Sequence, residues 1–181
     1  MEIPFPSESF IEDYIFKLCA KDGLCPISGD DVDLAIRQPK FDAYGIGDIL
    51  KINIIQDPFE CLVVITILEL KNEPLKARHL VQLSKYMTFI NEAVGRYKRF
   101  FGDGLRVIVE GELAGPFNVN DDLVFLTNFL DKRITVYSFS ASMEKGFSVR
   151  PVKGNWVITS SDHKSISIAR QVLSLIKGIR S

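Results

Sequence analysis

Asp48, Glu69 and Lys71 are the residues of this 181-residue chain whose types and spacing first suggest chemistry. Glu69 and Lys71 stand two apart at the end of the apolar run CLVVITILELK, residues 61–71. On a strand they share a face, while Leu70 points to the opposite one. A strand covered on both faces normally keeps charge out, because an unpaired buried ion costs roughly 3 kcal/mol or more. Asp48 lies in the preceding stretch GIGDILKINII, and a hairpin around QDPFE would bring it beside Glu69. One carboxylate from each of two adjacent strands, with an ammonium next to them, outlines a metal and water site. Mg²⁺ takes a few hard oxygen ligands, keeps several waters and completes its shell with phosphate oxygens. Lys71 would there orient or deprotonate a metal-bound water, or stabilise charge building on phosphorus. Further along, Gln82 and Tyr86 are four apart and stack on one helix face, offering an amide and a phenol to a phosphate backbone or a stacked base. Lys76, Arg78 and Lys85 project from nearby positions on the same helix.

The elements that must position these residues follow from periodicity. A helix is expected over 9–21, with Phe10, Tyr14 and Leu18 joined by Ile11 and Ile15, and with Gly23 just past its end. DVDLAIRQ, residues 31–38, alternates Val32, Leu34 and Ile36 with polar neighbours and reads as a half-buried strand. Residues 45–55 repeat the alternation, and 61–71, apolar on both faces, form the central strand. Asn72 or Glu73 would cap the next helix, with Pro74 in its first turn and Leu80, Leu83, Met87, Ile90 and Val94 as its buried seam. A strand follows at 105–113, then a short helix near 121–130 and a strand at 134–141. FSVRPV and NWVIT read as further strands, and a closing helix runs through ISIARQVLSLIKGI. Three strands on short connections predict an antiparallel meander, and the helix that crosses to the next strand predicts one parallel pair.

Composition bounds the class. At 181 residues, 46% hydrophobic and 25% charged, the chain suits one soluble domain over 1–181, with a core at about 9–113 and an extension at about 114–181. No apolar run reaches a membrane span and MEIPFPSESF lacks the order of a signal peptide, so a cytoplasmic location without membrane contact is expected. Cys19, Cys25 and Cys61 form no C-x-x-C and lack histidines at zinc spacing, so reduced thiols are expected. Net charge is −1 but uneven: residues 1–60 carry 12 acidic and 5 basic groups, residues 61–99 carry 3 and 7. A basic surface beside an acidic cluster is what an anionic substrate and a metal require together, although solvated faces can differ this much by themselves.

Taken alone, an E-x-K at a strand end is usually a surface salt bridge. Asp48, then Glu69-x-Lys71 closing a hydrophobic strand, then Gln82-x-x-x-Tyr86 in the next helix, together resemble the PD-(D/E)XK nuclease superfamily, in its branch with a Q-x-x-x-Y helix motif. The resemblance covers residues 44–90, with the helix at 9–21 and the strand at 105–113 falling where that family's first helix and fourth core strand lie. It implies a restriction-endonuclease-like α/β fold, a mixed sheet flanked by helices in the order helix, three strands, helix, strand. The implied activity is Mg²⁺- or Mn²⁺-dependent hydrolysis of phosphodiester bonds in nucleic acid, DNA being the expected substrate. By that resemblance Asp48, Glu69 and the Leu70 carbonyl would hold the metal and Lys71 would be the catalytic lysine. Gln82 and Tyr86 would position substrate or Lys71, and Glu12 matches an acidic residue that some members bring from the first helix. Gly47 stands where the superfamily has proline, and no arginine accompanies Asp48. With no recognisable second domain in this sequence to read bases, low specificity is expected, or a partner that supplies it, a second copy or a guiding protein. The alternatives are a catalytically inactive nuclease-fold module that binds nucleic acid or protein, and an unrelated α/β domain in which Glu69 and Lys71 merely pair. His79 reads as a partly exposed helix residue rather than a catalyst, because the chemistry does not need it.

Overall fold

The computed structural model of the chain describes residues 7–56, 58–97, 104–116, 123, 133–142, 146–153 and 179–180. Ser7 opens the first helix, α1 (Glu8–Asp22), by accepting a hydrogen bond from the Phe10 amide at 3.3 Å. Gly23 closes it in the left-handed region at φ 66°, where a side chain would be strained. Strands β1 (Leu34–Arg37) and β2 (Lys40–Phe41) lead into a 3₁₀ turn at Asp42–Tyr44. Then come β3 (Ile49–Gln56), β4 (Cys61–Leu70), the long helix α2 (Ala77–Tyr97), β5 (Leu105–Pro116), β6 (Ile134–Ser142), β7 (Gly146–Lys153) and β8 (Ile179–Arg180). Six strands form one mixed sheet in the order β1-β3-β4-β5-β6-β7, and β2 pairs separately with β8.

β4 is central and sorts its side chains by parity. Val63, Ile65 and Ile67 pack with Leu83, Met87 and Ile90 of α2, whereas Leu68 and Leu70 pack with Ile11, Ile15 and Cys19 of α1 and with Phe139. β3 does the same, with Leu50, Ile52 and Ile54 toward α2 and Ile49 toward α1. The two helices therefore cover opposite faces of the sheet, and each fully buried Leu or Ile contributes on the order of 1.5–3 kcal/mol. α2 lies close because Gly111 of β5 has no side chain: a Cβ there would come within 2.6 Å of the Met87 sulfur.

The expected meander is present, with β1–β3 and β3–β4 antiparallel and β4–β5 parallel. A second parallel pair, β5–β6, was not expected, nor was the β2–β8 pair. Ile179, expected to end the closing helix, is instead extended and opposite Phe41. The remainder of that helix, the helix near 121–130 apart from Leu123, and the NWVIT strand lie outside the described residues.

α2 also begins later than the capping argument predicts. Leu75 is fully buried and touches the bare face of Gly115, where a Cβ would sit 2.7 Å from its Cγ, so residues 72–76 run as a loop held against the sheet and stay out of the helix. The actual start is made by His79, whose Nδ1 accepts the Lys76 amide at 3.1 Å while its own amide donates to the Lys76 carbonyl at 2.9 Å. A side chain in the first turn reaches back to the capping amide, the geometry of a capping box with imidazole in place of carboxylate. That role requires neutral His79, which is buried at 3% exposure rather than partly exposed because its ring folds back onto the helix start; its Nε2 faces Glu73 Oε1 and Arg78 Nε, each at 3.2 Å. Burial foremost holds the imidazole pKa below its usual value. A depressed folded-state pKa gives stability that is full above about pH 6.5 and lost as pH falls through the folded value. Urea denaturation from pH 7.5 to 5 should show a loss on the order of 1 kcal/mol, typical for a cap, that is absent in His79→Gln.

Candidate active site

The β3–β4 register sets Ile49 opposite Leu68, so the next pair outward is Asp48 and Glu69, both on the face that carries α2. Asp48 Oδ2 accepts the Leu70 amide at 2.6 Å and thereby continues the strand pairing with a side chain. On the other side of β4 the Lys71 amide donates to the Ala114 carbonyl at 2.8 Å, extending the ladder to β5 one residue beyond the strand. Held from both flanks, Lys71 places its Nζ 2.7 Å from Glu69 Oε1, 3.5 Å from Glu8 Oε1 and 4.0 Å from Asp48 Oδ2. Glu69 is 1% exposed, and its second oxygen, Oε2, is buried without a hydrogen-bond partner among the described residues. A buried carboxylate oxygen with no donor is costly to keep charged, of order 1–3 kcal/mol or more, and is open to a cation.

Burial, and next the Glu69 carboxylate beside it, push the Asp48 pKa up to about 8. Burial also raises Glu69, against the pull of Lys71. For Lys71 burial opposes the charge, but Glu69, Asp48 and Glu8 outweigh it and its pKa is raised. Lys71 is therefore an ammonium at neutral pH, suited to donating hydrogen bonds and to stabilising negative charge rather than to removing protons. A raised carboxyl pKa favours the fold most below the unfolded value near 4, and that contribution is lost as pH rises to the folded value near 8. Asp48→Asn, which can still accept the Leu70 amide, should remove this dependence. Without added metal, the variant should exceed the wild type at pH 8 by about 1.4 kcal/mol or more, with the gap closing toward pH 5.

The remaining expected site residues are distributed unevenly. Tyr86 is buried at 3% exposure; its hydroxyl donates to the Ile46 carbonyl at 2.9 Å and accepts from Gln82 Nε2 at 2.8 Å. The Q-x-x-x-Y pair, expected to position substrate or Lys71, thus ties α2 to the segment leading into Asp48. Lys76 and Arg78 are both engaged by Glu73, Lys76 at 2.6 Å, so neither stands as a free phosphate contact. Lys85 is exposed and has no carboxylate partner among the described residues. Glu12 is held away from the centre by Arg37 at 2.7 Å and by Gln38 at 3.4 Å. The carboxylate that α1 does bring is Glu8, which also accepts the Asn72 amide at 3.3 Å. Its signal in the sequence is its place directly after the Ser7 cap, one turn before Glu12.

Sequence reasoning also missed a second polar constellation on the α1 face. Lys51, 3% exposed, donates to Glu112 Oε2 at 2.7 Å and to Ser28 at 2.9 Å, with Asp30 at 3.4 Å. Burial foremost pushes the Glu112 pKa up to about 8, with Lys51 opposing. The thiols of Cys19 and Cys25 meet beside it, and all three cysteines are free. Lys51 is fully satisfied and structural in its contacts.

Among the described residues no three His, Cys, Asp or Glu side chains are gathered into a metal cage, and no helix is long and apolar enough to cross a membrane. No family model, curated protein or solved structure matches the chain.

Proposed function

We propose that this chain is a divalent-cation-dependent phosphodiesterase acting on nucleic acid, DNA first, with a restriction-endonuclease-like fold. The reading is supported by the order of α1, β1, β3, β4, α2 and β5 and by the sequence pattern that falls on it. One observation carries it: Asp48, Glu69 and Lys71 converge on one face, with a buried Glu69 oxygen left unpartnered among the described residues. The donor set fits Mg²⁺ or Mn²⁺, since Mg²⁺ commonly uses only one or two protein carboxylates and leaves its other positions to water and phosphate. Asp48 and Glu69 would hold the ion, with the Leu70 carbonyl as a further oxygen. When bound, such an ion supplies Lewis acidity and a more acidic water. The Lys71 ammonium, fixed by Glu69, faces the position where negative charge would develop on the phosphoryl oxygens. Gln82 and Tyr86 keep the Asp48 segment against α2, and Glu8 helps to hold the Lys71 amine in place.

A second reading, a nuclease-fold module without catalysis, is favoured by the same ammonium. With Glu69, Glu8 and Asp48 all within 4.0 Å, Lys71 itself neutralises the carboxylates that a cation would otherwise meet. Calorimetry with Mg²⁺ and Mn²⁺, beside single-turnover cleavage of labelled single- and double-stranded DNA and RNA, separates the two. Metal binding with cleavage, both abolished by chelation, is expected. Nucleic-acid binding with neither would sink the catalytic reading.

A further inference from the structure

Beside the carboxylate centre lies a groove of about 350 Å³ that its residues do not use. One wall is Tyr44 of the 3₁₀ turn, and the other is an α2 stripe including Leu80, Val81 and Lys85. Tyr44 is 42% exposed and Val81 55%, yet the Tyr44 ring is steadied by Phe89 at a centroid distance of 5.7 Å. Its volume falls in the range of small-ligand sites, which pair apolar walls with a few placed polar groups. Among the described residues no carboxylate lines it, and Lys85, the one charged residue of that lining, offers an ammonium without an acidic partner. A flat apolar ring carrying a neighbouring negative charge matches that lining: an aromatic face to stack on and a cation for the phosphate.

Groove and centre are joined along the chain by one pinned segment, which runs from Tyr44 to Asp48. The Ile46 carbonyl takes the Tyr86 hydroxyl, and Gly45, at φ 117°, passes so close that a Cβ would lie 3.2 Å from the Tyr86 oxygen. Tyr44 and Asp48 are four residues apart, a reach of at most about 14 Å. A distance within that bound is one that neighbouring nucleotides of one strand can span.

We infer that the groove beside Tyr44 receives an unpaired nucleobase, with Lys85 on its phosphate, so that the strand presented to the centre carries an unpaired nucleotide next to the bond that is cut. In a duplex the base faces are already stacked and cannot enter such a groove. The inference takes its register from the phosphodiesterase reading, but its test does not depend on cleavage. Fluorescence anisotropy in EDTA would compare a labelled single-stranded oligothymidylate with a blunt duplex of equal length. Tyr44→Ala should weaken oligothymidylate binding roughly 5–100-fold, the range for losing one base–aromatic stack, and Tyr44→Phe should retain it. Lys85→Ala should reduce the slope of log affinity against log salt by about 0.7. Phe59→Ala, an exposed aromatic on the β3–β4 connection, should change nothing. Unchanged affinity in Tyr44→Ala, or a duplex bound as tightly as the single strand, overturns the inference even if the wild type cleaves with Mg²⁺. Tyr44-dependent binding by a wild type that cleaves nothing keeps the groove and removes the phosphodiesterase reading alone.

Discussion

Lys71→Ala should lower single-turnover cleavage by roughly 10²–10³-fold, the usual loss when one preorganised donor to a developing negative charge is removed. Nucleic-acid affinity should stay close to wild type, because the loss is confined to the transition state. Metal affinity should be retained, since deleting the ammonium 2.7 Å from Glu69 leaves the carboxylates to a cation. Asp48→Ala and Glu69→Ala should instead lose metal binding and cleavage together. Calorimetric metal titration run beside the cleavage assay gives both readouts, and circular dichroism confirms that each variant folds. Cleavage that persists in all three variants would place the chemistry elsewhere.

Lys51→Met should cost about 3–5 kcal/mol in urea denaturation at pH 7, as expected when one partner of a buried ion pair is removed. The reason is Glu112, which is 5% exposed and has Lys51 as its ion-pair partner at 2.7 Å. Its raised pKa limits the loss, because the abandoned carboxyl can take up a proton. Combining Lys51→Met with Glu112→Leu should recover most of the stability, since a packed apolar pair often replaces a buried ion pair without loss. The double-mutant cycle should therefore show a strongly non-additive pair. Single variants within 0.5 kcal/mol of wild type would show that the pair is solvated.

Faces were legible in the sequence, and pairings less so. The alternation around Asp48 and the Glu69-x-Lys71 spacing placed three side chains on one face, because a strand's period of two is local and strict. The α2 seam was legible for the same reason, with Leu80, Leu83, Met87 and Ile90 all buried. The start of α2 was not, because Pro74 marks a first turn only if nothing pulls the chain away, and Leu75 is pulled into contact with Gly115. Glu8 was passed over for Glu12 because helix periodicity does not say which end of a helix approaches a strand end. Lys51 and Glu112 are far apart in sequence, and no local pattern announces an ion pair that forms only when the sheet closes. The β5–β6 pairing was passed over although a short helix was read near 121–130 between the two strands, because a connecting helix does not say which strand the next one pairs with.

β4 has a consequence for how the chain tolerates change. Its odd positions face α2 and end in Glu69, with Lys71 one residue beyond the strand, while on neighbouring strands Lys51 and Glu112 lie toward α1. A slip of one residue would exchange faces, moving two sets of charged groups into apolar layers at once. Mispaired sheets are thus penalised on both sides, so the charges act as a two-sided key for strand alignment during folding. Insertions or deletions of a single residue within β3 or β4 should accordingly be excluded from any lineage that retains this fold, whereas paired changes that preserve parity leave the key readable.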